Sequence, residues 1–150
     1  MFLRILSLLF VLSLVTVPFD LGAQDQKVTY KKARALQTST AKKIVKVVEA
    51  LERVDEEGKE DPDFETVKEI LNELLDKKDS LRSYDRSVMW NYWGYVYFSE
   101  ERFSDAMRAY RNLLAEPEST IPLRVASLYT LAQLNFVNED YEEGVKVLLQ

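Results

Sequence analysis

The sequence predicts an all-α chain in which helices pair and the pairs repeat. Composition gives the first reason. Hydrophobic residues fill 47% of the 150 positions, while glycine and proline number four each. A packed chain with few helix breakers follows. The second reason is spacing: apolar residues recur at three- and four-residue steps, the mark of one buried face per helix. The third is period. An aromatic residue opens the second helix of each pair, at Phe64, Phe103 and Tyr141. The step from Phe64 to Phe103 and the step from Phe103 to Tyr141 differ by a single position.

The chain begins with an address. Met1 to Arg4 is a short positive segment, and Ile5 to Val17 is apolar apart from Ser7, Ser13 and Thr16. Pro18 breaks the run, and Ala23 supplies a small residue before Gln24. This is the layout of a secretory signal peptide over residues 1–23, too short to span a membrane comfortably. Residues 24–40 are a polar, basic lead-in, expected to be partly flexible. Ser39 or Thr40 is placed to cap a first helix from about Ala41. Ile44, Val47, Val48, Leu51 and Val54 form its apolar face. The run Asp55–Asp63 stops it through charge, Gly58 and Pro62.

Asp63 can cap a second helix carrying Phe64, Val67, Ile70, Leu71, Leu74 and Leu75. After a polar link, Lys77 to Arg82, a third helix spans about Ser83 to Phe98. It holds Trp90, Trp93, Gly94 and Tyr97. Ser99–Arg102 turns the chain into a fourth helix, Phe103 to Ala115. Glu116–Ile121 is a loop, and Pro122 suits the first turn of a fifth helix. That helix carries Val125, Leu128, Leu131, Ala132, Leu134 and Phe136. Asn138–Asp140 turns it, and a sixth begins near Tyr141.

Residues 41–150 thus divide into a degenerate repeat (41–76), a well-formed one (84–115) and an incomplete one (122–150). In this register Leu51, Gly94 and Ala132 take the close-approach position of the first helices, with about four residues inserted in the first repeat. Glycine inside a helix costs about 1 kcal/mol relative to alanine. It is expected where two helices cross with almost no side chain between them. Ala106 is the expected facing residue, with Trp90, Trp93, Tyr97 and Tyr110 on either side. The two tryptophans could be read as a ligand platform, but their core register favours packing.

The spacing of Trp90, Trp93, Gly94, Tyr97, Phe103, Ala106, Tyr110 and Pro117 resembles the tetratricopeptide repeat. The resemblance implies an α-solenoid of antiparallel helix pairs, about three repeats long. More narrowly, F-E-T-V-K-E-I-L-N-E-L-L, M-W-N-Y-W-G-Y-V-Y-F and S-L-Y-T-L-A-Q-L-N-F-V-N-E-D-Y resemble periplasmic repeat proteins found with the TonB–ExbB–ExbD system. That resemblance implies a Gram-negative periplasmic scaffold supporting TonB-dependent energy transduction and iron uptake, with TonB, ExbB or ExbD components as partners. A cell-envelope assembly or cell-wall adaptor is the alternative. Such relatives tend to be longer, and a polar capping helix is not apparent, so the 150 residues are expected to be the front of a longer protein.

The charge and composition narrow the function further. Residues 24–48 carry a net charge of +6 and residues 49–150 one of −11. An acidic body repels phosphate backbones, so nucleic acid is not expected as a partner. Membrane contact is expected only through the signal segment, if it stays uncleaved as an anchor rather than being removed after Ala23. Cysteine and histidine are both absent, which removes thiol nucleophiles, imidazole bases and the usual zinc ligands. No carboxylate pair stands in a catalytic motif, and no enzyme activity, cofactor or metal is expected. The acidic run Asp55–Asp63 does not have the order of a calcium loop. The expected site is instead a groove lined by the first helices of the pairs. Asn91, Tyr95, Phe98, Tyr129, Gln133 and Phe136 face it, suited to an extended peptide or a partner helix.

Overall fold

The computed structural model describes residues 34–150. The segment expected to be a signal peptide and most of the basic lead-in lie outside them. Among the described residues there are six α-helices and no strand. They are α1 (Thr38–Leu51), α2 (Phe64–Leu75), α3 (Ser83–Ser99), α4 (Phe103–Ala115), α5 (Ile121–Val137) and α6 (Tyr141–Leu148). A single 3₁₀ turn, Lys78–Ser80, links α2 to α3. Each helix packs on its neighbour in the chain, most extensively α3 on α4 and α5 on α6. Three residues join the helices of those two pairs, so each pair runs antiparallel.

Two apolar clusters form the core. One gathers Ile44 and Val47 of α1, Val67, Leu71 and Leu74 of α2, and Met89, Trp93 and Val96 of α3. The other gathers Ala106, Met107 and Tyr110 of α4, Leu131, Ala132 and Leu134 of α5, and Val147 of α6. Tyr97 packs against both. Its ring stacks on Trp93 at 5.0 Å between centroids. The Arg102 guanidinium lies 4.5 Å from the Tyr97 ring centre. Of the two tryptophans it is Trp93 that is buried, while Trp90 is half-buried at the margin.

The α3/α4 and α5/α6 turns are built alike. In the first, Glu100 N–H donates to Val96 C=O, Glu101 N–H to Phe98 C=O and Arg102 N–H to Tyr97 C=O. In the second, Asn138 N–H donates to Leu134 C=O, Glu139 N–H to Phe136 C=O and Asp140 N–H to Asn135 C=O. Every donor and acceptor is shifted by the same interval, the one that separates Phe103 from Tyr141. The six-to-one bond is that of a Schellman motif. The residue that must enter the left-handed region is glutamate in both, Glu101 at φ 58° and Glu139 at φ 62°. Glycine is the usual choice there, and a side chain costs roughly 1 kcal/mol.

The first pair differs. Asp63 N–H donates to Ala50 C=O, in the place of the Arg102–Tyr97 bond. Donor and acceptor are thirteen residues apart rather than five, so the insertion is eight residues, not about four. Val47, fully buried, therefore stands where Gly94 and Ala132 stand; Leu51 does not. The extra chain folds back on itself. Asp61 N–H bonds to Arg53 C=O, and Val54 bridges Glu60. The Arg53 guanidinium clamps the base, reaching Asp61 Oδ2 at 2.6 Å and Asp63 Oδ2 at 3.1 Å. Val54, expected on the helix face, is instead exposed on this loop. Helix α1 also starts earlier than expected. Gln37 is its N-cap without a side-chain bond, and Thr40 is buried inside the first turn. Asp63 does cap α2, accepting Thr66 N–H at 3.0 Å.

Candidate partner-binding surface

Helical spacing puts Asn91, Tyr95 and Phe98 on one side of α3, and the interval between the two turns puts Tyr129, Gln133 and Phe136 on the same side of α5. Tyr95, Phe98, Tyr129 and Gln133 are exposed; Asn91 and Phe136 are half-buried. The Tyr95 ring lies 6.3 Å from that of Phe64 at the start of α2. Phe98 lies 6.0 Å from Phe103 across the turn. These contacts fix the rings without covering them. Beside them, burial pushes the Tyr92 phenol up, with Glu52 adding to the rise, so it stays a neutral donor.

Phe136 is committed elsewhere. A Cβ on Gly144 would sit 2.5 Å from its ring, so the ring rests directly on the α6 backbone. It also stacks on Tyr141 at 6.4 Å. Its place is between the helices of its own pair rather than in a groove. Gly94 is closed in the same way but by Tyr110, whose ring carbons would be 2.7 Å from an added Cβ. The side chain over Gly94 is therefore Tyr110, not Ala106. Among the described residues no ring contact joins the α3 set to the α5 set. The structure thus offers two separate groups of exposed aromatic and amide side chains at equivalent positions.

Charge surrounds this surface in pairs. Lys68 Nζ reaches Glu100 at 2.9 Å and Glu65 at 2.7 Å, tying α2 to the α3/α4 turn. Those hydrogen bonds hold the lysine up, that to Glu65 foremost, and the lysine holds Glu100 below the usual carboxylate range. Arg86 grips Glu116 through two nitrogens, at 2.7 and 2.8 Å, fixing the start of α3 to the end of α4.

Sequence reasoning missed a second polar centre. Asp85 is fully buried in the first turn of α3. It accepts Gln37 N–H at 2.8 Å and Arg82 Nε at 3.0 Å. Arg82 in turn donates to Ala35 C=O, and Arg34 pairs with Glu118 at 2.6 Å. The end of the lead-in, 34–37, is therefore anchored rather than loose. An R-x-x-D spacing at a helix start was the available signal. An open depression of about 470 Å³ lies beside it, with Thr38, Ser39, Lys43, Lys77 and Ser80 on its walls. Among the described residues no group of three or more acidic side chains is placed to hold a metal. No described helix is long and apolar enough to cross a membrane.

No protein-family model, curated protein or solved structure matches the chain.

Proposed function

We propose that this chain is a tetratricopeptide-like scaffold that binds protein through the exposed faces of α3 and α5. One observation carries the reading: the same three-bond turn follows α3 and follows α5, each time beside an exposed Tyr and a polar amide or aromatic neighbour. A repeated frame presents similar side chains at regular intervals, which suits an extended peptide or a helix. Tyr95 and Tyr129 are the anchors of this reading, because large amphipathic rings supply contact area at low entropic cost. The apolar leader and the resemblance of the repeat sequences support a periplasmic setting and a role beside TonB, ExbB or ExbD.

A photo-crosslinking residue at Tyr95 or Tyr129, in cells expressing the full chain, tests this directly. The expected result is a discrete protein adduct containing a TonB-system component. The adduct from the Tyr129 position should be lost when Tyr95 is changed to Ala, with helicity unchanged by circular dichroism. Adducts only with outer-membrane assembly proteins would sink the TonB assignment. No adduct from either position would sink the groove.

A further inference from the structure

The first turn of α1 holds a set of hydrogen-bond donors that the fold does not use. The first four N–H groups of a helix have no partner within it. Here Gln37 N–H goes to Asp85, while those of Thr38, Ser39 and Thr40 meet no acceptor among the described residues. No side chain caps this helix, and its first turn contains no acidic residue. The Thr40 side chain is an independent sign. It is 0% exposed, yet its hydroxyl has no hydrogen-bond partner among the described residues. Ser87, at the equivalent position of α3, donates instead to Tyr84 C=O at 2.8 Å. A buried hydroxyl without a partner costs stability, and one retained at a helix start points to an acceptor that the chain does not supply.

We propose that the depression of about 470 Å³ at this helix start binds a phosphate group, either as the free ion or as the head of a small phosphorylated molecule. Helix α1 brings Thr38, Ser39, Thr40 and Lys43 to its lining, and the segment after α2 brings Lys77 and Ser80. Ser80 donates to Lys77 C=O at 2.7 Å, which fixes that second side. Among the described residues no acidic side chain lines the depression. Lys43 is shared with Glu73, while Lys77 makes no ion pair among the described residues. The positive end of α1 adds to the two ammonium groups. Donors on two elements suit a phosphate, whose three oxygens and charge of about −1.5 to −2 can face both at once. A carboxylate offers only two oxygens in one plane and a single charge. The volume falls among those of small-molecule sites, roughly 300–1,000 Å³. The site also lies in the basic stretch 24–48, of net charge +6, away from the acidic positions that repel phosphate elsewhere.

Calorimetric titration of the purified full chain with inorganic phosphate, glycerol phosphate and acetate, at matched ionic strength, tests this. Saturable binding of phosphate or its ester, absent with acetate, is expected, together with a rise in the thermal midpoint. Tighter binding of the ester marks a phosphorylated small molecule as the source; equal or weaker binding marks the free ion. Lys77→Gln and Thr40→Val should each weaken binding by about tenfold, the loss of one hydrogen bond to a charged group. Lys78→Gln, outside the lining, should leave it unchanged. Thr40→Val also separates a ligand role from a structural one: without phosphate it should be at least as stable as the natural chain, yet it should lose the phosphate-dependent rise. The proposal is overturned if neither phosphate compound binds better than acetate. It is equally overturned if Lys78→Gln weakens binding as much as Lys77→Gln, or if Thr40→Val keeps full affinity.

Discussion

The α3/α4 pair and the α5/α6 pair turn through the same hydrogen bonds but lock with the glycine on opposite sides. In α3/α4 the glycine is on the first helix, and Tyr110 from the second lies on it. In α5/α6 the glycine is on the second helix, and Phe136 from the first lies on it. The counterparts behave accordingly. Phe98, equivalent to Phe136, faces a helix with Ala106 where the other has Gly144, and it is exposed. Leu148, equivalent to Tyr110, pairs with a helix bearing Ala132 where the other has Gly94, and it too is exposed. What each pair keeps is one ring laid flat on one bare stretch of backbone. Which helix supplies the ring is free to change, because the contact needs only a missing Cβ opposite an aromatic side chain.

The largest effect is expected at Trp93, whose place α5 fills with Leu131. Trp93→Ala should cost about 3–5 kcal/mol, since a fully packed ring is lost and Tyr97 loses its stacking partner. Chemical denaturation would show it as a lower midpoint, with the near-ultraviolet signal of the aromatic cluster weakened.

The glycine locks come next. Gly94→Ala forces the buried Tyr110 ring outward and should destabilise by about 1–3 kcal/mol. Gly144→Ala should cost less, roughly 1 kcal/mol or below, because the half-buried Phe136 can swing out as Phe98 already does. Combining Gly94→Ala with Tyr110→Leu recreates the α5/α6 chemistry and should recover part of the loss. Denaturant midpoints of the three variants decide the point, and equal costs at the two glycines would refute the reciprocal lock.

The smallest effect is expected at the α2 cap. Hydrogen bonds from the Thr66 N–H and hydroxyl hold the Asp63 carboxyl below its usual range, with Arg53 reinforcing them. A group lowered in the folded state stabilises at neutral pH, and that stabilisation fades as pH falls through its folded value. Asp63→Ala should therefore lower the thermal midpoint at pH 7 by less than either glycine change. The gap to the natural chain should narrow below about pH 3.9, the ordinary aspartate value. A gap that widened in acid would contradict this assignment.

Much of the architecture is legible in the sequence because helices announce themselves locally. The Phe64, Phe103 and Tyr141 starts are the starts observed, and Pro122 lies in the first turn of α5. The first pair escapes a local reading because an inserted loop carries no periodicity. Only the Asp63–Ala50 hydrogen bond shows that Val47 is the close-approach residue. The α1 start is displaced because the distant Asp85 takes the Gln37 N–H. Local capping rules cannot see such a partner. For the six expected groove residues, exposure follows from position on a helix face, but the fate of Phe136 depends on Gly144 in the next helix. A side chain's direction is readable; its competition with a distant backbone is not.

The Arg53-clamped hairpin has a consequence in time rather than space. Every substantial helix interface joins neighbours along the chain, so assembly needs only short closures and can begin at any pair. Twelve residues separate α1 from α2, against three between α3 and α4. Two doublings of loop length raise the entropic cost of closure by about 1 kcal/mol. The α5/α6 connection is as short as that of α3/α4, so loop closure penalises the first pair alone. The loop that blurs the repeat in sequence therefore makes the first pair the costliest of the three to close.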